Sequence, residues 1–358
     1  MERFGFVGLP NAGKSSLYNA LSKGKALAAP YAFATVEANV GMAKVADPRL
    51  DALAVMSNTR SIVATAVQFV DIGGLVEGAS QGEGLGNRFL ADIREADAIV
   101  YVLRAFEDPD VPGPVDPLDT LRVLEIELSL ADLETVERQI EKRRKAAKQD
   151  RGVADEVAAL DAARLVLAEG TPVYRSPLKS VEKELLRGYF LLTNKPVLAV
   201  VNVGEDDLER ADEIAAPVVA ELEGYGEVIA MCVQLEAEAA HLDDDERAEM
   251  LEALGLGEGA LPRFVRTAYH LLGLRTFFTT GEKETRAWTF RAGWKAPQCA
   301  GVIHTDFERG FIRAEVIGTE ELLEAGSWSK ARDVGKLRVE GKDYEFADGD
   351  VVDIRFNV

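Results

Sequence analysis

Gly8-Leu9-Pro10-Asn11-Ala12-Gly13-Lys14-Ser15 fits G-x-x-x-x-G-K-[ST], the pattern of a phosphate-binding loop. Its surroundings have the required form. Phe4, Phe6 and Val7 read as a short buried strand, and Ser16-Leu17-Tyr18-Asn19-Ala20-Leu21 starts a helix. Strand, glycine-rich turn and helix together present a row of backbone N–H groups at a positive helix terminus, an anion site before any side chain contributes. The candidate phosphate-binding residues are Asn11, Ala12, Gly13, Lys14, Ser15 and Ser16. Lys14 would bridge the outer phosphates and Ser15 would hold Mg²⁺ through its hydroxyl. An ordinary strand-to-helix loop is the bland alternative, and the match between pattern and setting counts against it.

Downstream segments add to this site. Pro30 to Asn39 is an irregular stretch in which Thr35 would complete Mg²⁺ coordination when a γ-phosphate is present, as a first switch loop does. Residues 62–72 form an apolar, β-branched run, read as one strand ending in Asp71. Asp71-Ile72-Gly73-Gly74 is a D-x-x-G pattern. The Asp71 carboxylate would support Mg²⁺ and the Gly74 amide would meet the γ-phosphate. D-x-x-G alone is weak; after a phosphate loop it is specific. Glycines at 73, 74, 78, 82, 84 and 86 mark a mobile second switch. Leu75 stands where many relatives place the glutamine that orients the attacking water, and it has no polar atom to do so.

The chain has 358 residues, enough for two or three domains, and 47% hydrophobic residues give it sizeable cores. No run of 18 apolar residues occurs, so a membrane span is not expected. A strand at the very start leaves no room for a secretory signal. Cys232 and Cys299 are too few for a disulfide framework and read as core residues in a reducing, cytoplasmic compartment. The net charge of -20 argues against unaided nucleic-acid binding over the whole surface.

Ala98 to Leu103 reads as a further buried strand. The Pro- and Asp-rich loop Glu107 to Pro117 marks an exit from the core domain. Residues 118–169 carry leucines and valines at helical spacing, which fits two long helices paired antiparallel. Between them, Arg138 to Arg151 holds seven basic and two acidic side chains. It reads either as a tip that touches RNA phosphates or as a solvated helix face.

Val197 to Val201 is the next buried strand. Asn194-Lys195 resembles the start of N-K-x-D but precedes that strand and has Val197 where Asp is needed. Asn202-Val203-Gly204-Glu205 lies at the strand's carboxyl end, where ligands of such sheets sit, and is taken as the base loop. Guanine offers two adjacent donors that a placed Asp accepts together. N-x-x-E lacks that Asp, which weakens the case for GTP and leaves ATP open. A helix over 205–223, a last strand Val228 to Val233 and helices near 245–254 and 261–272 close the domain. From Arg275 a small α+β domain is expected, with a helix Ala296 to Phe307 and strands at 311–317, 336–346 and 351–356. His241, His270 and His304 are scattered and read as structural or surface residues.

Gly8 to Ser16, Phe33-Ala34-Thr35-Val36-Glu37-Ala38-Asn39-Val40-Gly41 and Asp71 to Ser80 resemble the Obg-like ATPase (YchF) family over the whole chain. The resemblance implies an α/β fold: a GTPase-type P-loop domain (residues 1–117 and 190–273) with a mostly parallel sheet and helices on both faces. It also implies a helical coiled-coil insertion (118–189) and a C-terminal ubiquitin-like, β-grasp TGS domain (275–358). It implies ATP hydrolysis in preference to GTP, with Asn202 and Glu205 facing adenine, and ribosome association with a role in translation or stress responses. With the Mg²⁺ site read above, the leading reading is a slow ATPase switch, with weak GTPase activity open, that meets the large subunit or the whole particle through the insertion and the TGS domain. K⁺ beside Asn11 is drawn from related proteins, and a monomer is expected. Two departures stand out. Many members carry a histidine in the loop corresponding to Glu107 to Pro117, which has none here. Many also show Ser-Ala where this chain has Met231-Cys232-Val233. An Obg-type GTPase of ribosome assembly, and an adaptor in which nucleotide only stabilises the fold, are the competing readings.

Overall fold

The computed structural model describes residues 2–23, 40–70, 85–109, 113–148 and 150–357. Thr35, Asp71, Gly74 and Leu75 lie outside the described residues. In chain order the elements are β1 (Arg3–Val7), α1 (Lys14–Lys23), β2 (Val40–Lys44), α2 (Pro48–Met56), β3 (Ile62–Val63), β4 (Ala66–Val70), α3 (Leu85–Arg94), β5 (Ala98–Arg104), α4 (Pro117–Arg143) and α5 (Arg151–Ala168). They continue with α6 (Ser180–Leu186), β6 (Val197–Asn202), α7 (Ala211–Leu222), β7 (Gly226–Met231), α8 (Val233–Ala239), α9 (Asp244–Ala253), α10 (Ala260–Leu271), β8 (Leu274–Thr280) and β9 (Thr285–Arg291). The chain closes with α11 (Ala296–Ile303), α12 (Thr305–Arg309), β10 (Phe311–Gly318), α13 (Thr319–Ala325), α14 (Trp328–Asp333), β11 (Arg338–Glu340) and β12 (Asp350–Phe356).

These elements form two compact units, one holding residues 68–264 with the chain's start, the other residues 44–67 and 265–357. The first is built on a sheet in the order β2-β4-β1-β5-β6-β7. β1 pairs in parallel with β4 and β5, β5 with β6, and β6 with β7. β5 and β6 are buried along their whole length, as the Val- and Ile-rich runs of a sheet covered on both faces require. Successive chain crossovers leave β1 on opposite sides toward β4 and toward β5, so the carboxyl end of β1 lies at the switch point where such sheets bind ligands.

The helical insertion is not a detached arm. Asp116 caps α4, accepting from the Leu118 and Asp119 amides at 2.9 Å each, and Pro117 takes the first helical position. The first half of α4 buries Leu121, Leu124 and Leu128 in the core of the nucleotide unit, together with Tyr101 and Leu103 of β5. Its second half, through Val136 and Ile140, packs on Ala159, Leu160 and Ala163 of α5. Asp132, wholly buried at this root, accepts from the Leu192 and Thr193 amides at 3.0 and 2.7 Å. At the far end Arg143 pairs with Glu156 at 2.5 Å and lies over the Tyr189 ring, so this member of the basic run braces the hairpin. Lys142, Arg144, Lys145 and Lys148 are exposed.

The second unit has its own sheet, ordered β11-β10-β12-β8-β9-β3. It mixes antiparallel pairs with a parallel β12–β8 pair and a parallel β3–β9 pair. Leu50 and Leu53 of α2 pack on Phe278, Ile317 and Val351, which is why residues 44–67 belong here.

Several sequence expectations change. The described part of the run 62–72, residues 62–70, is two strands in two sheets, with Ile62 and Val63 paired to Thr285 and Arg286. Residues 205–210 form a 3₁₀ turn before α7. Val233 opens α8 instead of ending a strand. The helix expected from Ala296 to Phe307 breaks at His304, whose Nδ1 accepts from the Asp306 amide at 3.1 Å and restarts it as α12. Of 336–346 only Arg338–Glu340 is strand, and α13 and α14 fill a stretch that carried no expectation.

Candidate functional site

The loop after β1 is shaped by two glycines that no other residue can replace. A Cβ on Gly8 would lie 2.5 Å from the Val102 carbonyl oxygen of β5. Gly13 has a φ of +100°, and a Cβ there would lie 2.4 Å from Asn202 Nδ2. Asn11 sits at a φ of 63°, a left-handed conformation that asparagine tolerates better than most residues. The helical ladder of α1 then begins with the Leu17 amide donating to the Gly13 carbonyl at 2.9 Å. Lys14 is only 7% exposed. Its Nζ donates to the Gly8 and Leu9 carbonyls at 3.0 and 2.8 Å, so the ammonium is held inside the loop it closes. Ser15 and Ser16 are exposed on the first turn of α1.

Asn202, at the end of β6, joins three segments. Its Nδ2 donates to the Ala12 carbonyl of the phosphate loop at 3.0 Å, and its Oδ1 accepts from the Val233 amide at 3.0 Å. The loop, the end of β6 and the start of α8 are thereby tied through one side chain that is 4% exposed. This work on the frame is a role that the base-reading assignment for Asn202 does not include. Val203 continues the β6–β7 ladder through its amide to the Met231 carbonyl at 3.0 Å. Glu205 is exposed at the start of the 3₁₀ turn.

These residues line one cleft of about 1100 Å³, at the upper end of ligand-pocket sizes. Asn11, Gly13, Lys14, Ser15 and Ser16 form one end; Asn202, Val203, Gly204 and Glu205 form the other. The structure therefore brings together the described candidates of the phosphate loop and of the base loop, with Ala12 buried beneath them. The charge is divided. Lys14 and the α1 terminus make one end positive, while Glu107, Asp108, Glu205, Asp206, Asp207 and Glu238 ring the other. That polarity favours a ligand with its anionic group at Lys14 and its hydrogen-bond donors at the carboxylates.

Sequence reasoning missed part of the wall. Phe106 lines the cleft beside Val203 and Gly204, and Gln234, Ala237, Glu238 and His241 come from α8 and its end. The spacing 234, 237, 238, 241 is one helical face, a signal available once Val233 is seen to open a helix. His241 thus borders the cleft, although its sequence position gave no reason to place it there. Cys232 also lines the cleft, and burial pushes its thiol pKa up, so it is protonated at neutral pH and is no nucleophile. The rejected base-loop candidate serves elsewhere: Asn194 Nδ2 donates to the Lys183 carbonyl at 2.8 Å and Lys195 Nζ to the Arg94 carbonyl at 3.0 Å, capping the end of α3.

Among the described residues no cluster of three or more His, Cys, Asp or Glu side chains could hold a metal ion. The described part of the cleft offers the Ser15 hydroxyl, a hard oxygen suited to a cation that arrives with phosphate oxygens. Among these residues, no helix is long and apolar enough to cross a membrane.

A family model described as "50S ribosome-binding GTPase" matches residues 3–141. A second, for the C-terminal domain of YchF GTPases and described as "Protein of unknown function (DUF933)", matches residues 274–357. The ribosome-binding ATPase YchF of Bacillus subtilis is 46% identical over 363 residues, 99% of each chain. That of Escherichia coli O157:H7 is 46% identical over 364 residues, again 99% of each. The solved structure of the Schizosaccharomyces pombe YchF GTPase superimposes with a TM-score of 0.88 at 34% identity, covering 99% of this chain and 97% of that one. Both the loop that decides the fold and the whole-chain likeness lead to one assignment: the chain belongs to the YchF family.

Proposed function

We propose that this chain is a slow ATP hydrolase, converting ATP and water to ADP and phosphate, that acts as a nucleotide-dependent switch on the ribosome. The observation that carries the reading is the shared cleft, in which Asn202 ties the Lys14 loop to the N-x-x-E loop. Amides of Asn11 to Ser16 and the Lys14 ammonium bind the phosphates. Ser15, with Thr35 and Asp71 by their sequence patterns, would hold Mg²⁺, which neutralises charge on the phosphate oxygens when bound. The Gly74 amide is assigned to the γ-phosphate. Asn11, at its left-handed turn, is the residue that would contact K⁺. Val203, Gly204 and Glu205 face the base, with the Phe106 ring beside them. Leu75 brings no polar atom to the attacking water, which accounts for slow turnover.

The relatives' names specify a ribosomal partner, and a cytoplasmic location goes with it. The contact is assigned to the exposed part of the basic tip and to the C-terminal unit, as ribosomal RNA is the complementary surface for Lys142, Arg144, Lys145 and Lys148. Replacing Arg144, Lys145 and Lys148 by Glu is expected to weaken ribosome association about tenfold at low salt and less at high salt. Arg143 is left in place because it pairs with Glu156. Co-sedimentation at several salt concentrations measures this; unchanged sedimentation returns the tip to a solvated helix face.

Competitive equilibrium binding of ATP and GTP with Mg²⁺ tests the nucleotide. ATP is expected to bind more tightly. A clear preference for GTP would replace this reading by an Obg-type GTPase. Tight binding without turnover, on or off the ribosome, would favour the adaptor.

A further inference from the structure

β5 ends in a charged residue that the nucleotide site does not account for. Along this strand Tyr101 and Leu103 turn into the core shared with α4, so the alternation of a strand sends Arg104 to the other face. Arg104 is 4% exposed, and no carboxylate pairs with it among the described residues. Burying a guanidinium there is costly, and an apolar side chain would fill the place without that cost. The contacts it makes show what the charge does. Its Nε donates to the Phe106 carbonyl at 3.0 Å, and its guanidinium lies 4.5 Å from the centre of the Phe106 ring. Its Nη1 approaches Gly113, where a Cβ would come within 3.4 Å. The side chain therefore lies between Phe106 and Gly113 and holds the Phe106 end, while its Nη1 is buried without a hydrogen-bond partner. The base of that loop is fixed from the other side by the Ala105 amide, which donates to the Asn202 carbonyl at 2.9 Å. Phe106 in turn packs on the base loop, since a Cβ on Gly204 would lie 3.6 Å from Phe106 Cβ.

We propose that Arg104 is a positioning residue for nucleotide selectivity, holding the Phe106 ring as the platform for the purine while leaving the phosphate site untouched. The inference rests on the nucleotide reading above. Arg104 does not line the cleft, whereas Phe106 does, so Arg104 acts through the ring. A guanidinium is suited to the task because it donates in its own plane to a carbonyl and presents its face to an aromatic ring at the same time.

The test compares Mg–ATP, Mg–GTP and inorganic tripolyphosphate binding to wild type, Arg104→Met, Arg104→Lys and Phe106→Leu. Tripolyphosphate reports on Lys14 and the α1 terminus alone. For Arg104→Met, ATP affinity is expected to fall about tenfold, the ATP/GTP ratio to move toward unity, and tripolyphosphate affinity to stay within about twofold. Phe106→Leu should reproduce that pattern. Arg104→Lys keeps the charge but loses the Nε donor, and should fall between wild type and Arg104→Met; it carries the test alone if Arg104→Met fails to fold. Unchanged ATP affinity in the variants would overturn the proposal. So would equal losses of ATP and tripolyphosphate, which would mark general loosening. Failure of the wild type to bind either nucleotide would overturn the nucleotide reading itself, and the inference with it.

Discussion

Replacing Lys14 by methionine is expected to weaken Mg–ATP binding about 100- to 1000-fold, the equivalent of ~3–4 kcal/mol in lost charge-assisted contacts to phosphate. The apolar stem of methionine fills the space of the lysine stem, which matters because Lys14 is only 7% exposed and a truncation would add a cavity to the loss of charge. The ammonium already donates to the Gly8 and Leu9 carbonyls. Its three donors can exchange carbonyl for phosphate oxygens without moving the stem, so the charge is preorganised where the phosphates arrive. The variant also leaves those two carbonyls short of a donor, which should lower stability by only about 1 kcal/mol. GTP and tripolyphosphate should lose affinity by the same factor as ATP, since all three share the phosphate chain. Calorimetric titration of the three ligands, with urea unfolding as the control, measures both effects. Retained ATP affinity in a folded Lys14→Met protein would remove the phosphate assignment from this loop.

The phosphate loop was legible because its information is contiguous. Gly8 to Ser15 carries the steric demand of each position within eight residues, and Gly13 at a φ of +100° shows why one of its glycines is required. The choice of Asn202 over Asn194 follows from a rule about strand ends; the structure places Asn202 on the cleft wall and Asn194 at the Lys183 carbonyl, outside the cleft lining. The run 62–72 was not legible as two strands. It is mostly apolar with no Gly or Pro to mark a break, and the break is imposed by partners more than 200 residues away, Thr285 and Arg286. α13 and α14 were readable in principle, from Gly326 in the left-handed region and the Ser327 cap that accepts from the Lys330 amide, but each is too short to show a period. Arg104 and Phe106 match no motif. Their relation exists only once a loop has folded back over a strand end.

Asn202→Ala is expected to lower the unfolding free energy by about 2–4 kcal/mol and to weaken both ATP and tripolyphosphate, the former by about 30- to 100-fold. Removing the amide strands the Val233 N–H and the Ala12 carbonyl in a place where Asn202 itself was 4% exposed, so water replaces neither partner well. The tripolyphosphate arm separates two roles. A residue that only reads the base has no effect on a ligand without one. A residue that holds the phosphate loop in register affects every phosphate ligand, and this is the opposite of the pattern expected for Arg104. Asn202→Asp divides the clasp further. The carboxylate still accepts from the Val233 amide, which keeps the start of α8 anchored. It cannot donate to the Ala12 carbonyl and repels it, so the damage falls on the phosphate loop. Tripolyphosphate affinity in Asn202→Asp should therefore fall nearly as far as in Asn202→Ala, while more of the stability is retained. Loss of ATP affinity alone, with tripolyphosphate unchanged in both variants, would return Asn202 to base recognition and leave the geometry of the loop to Gly8, Gly13 and Lys14.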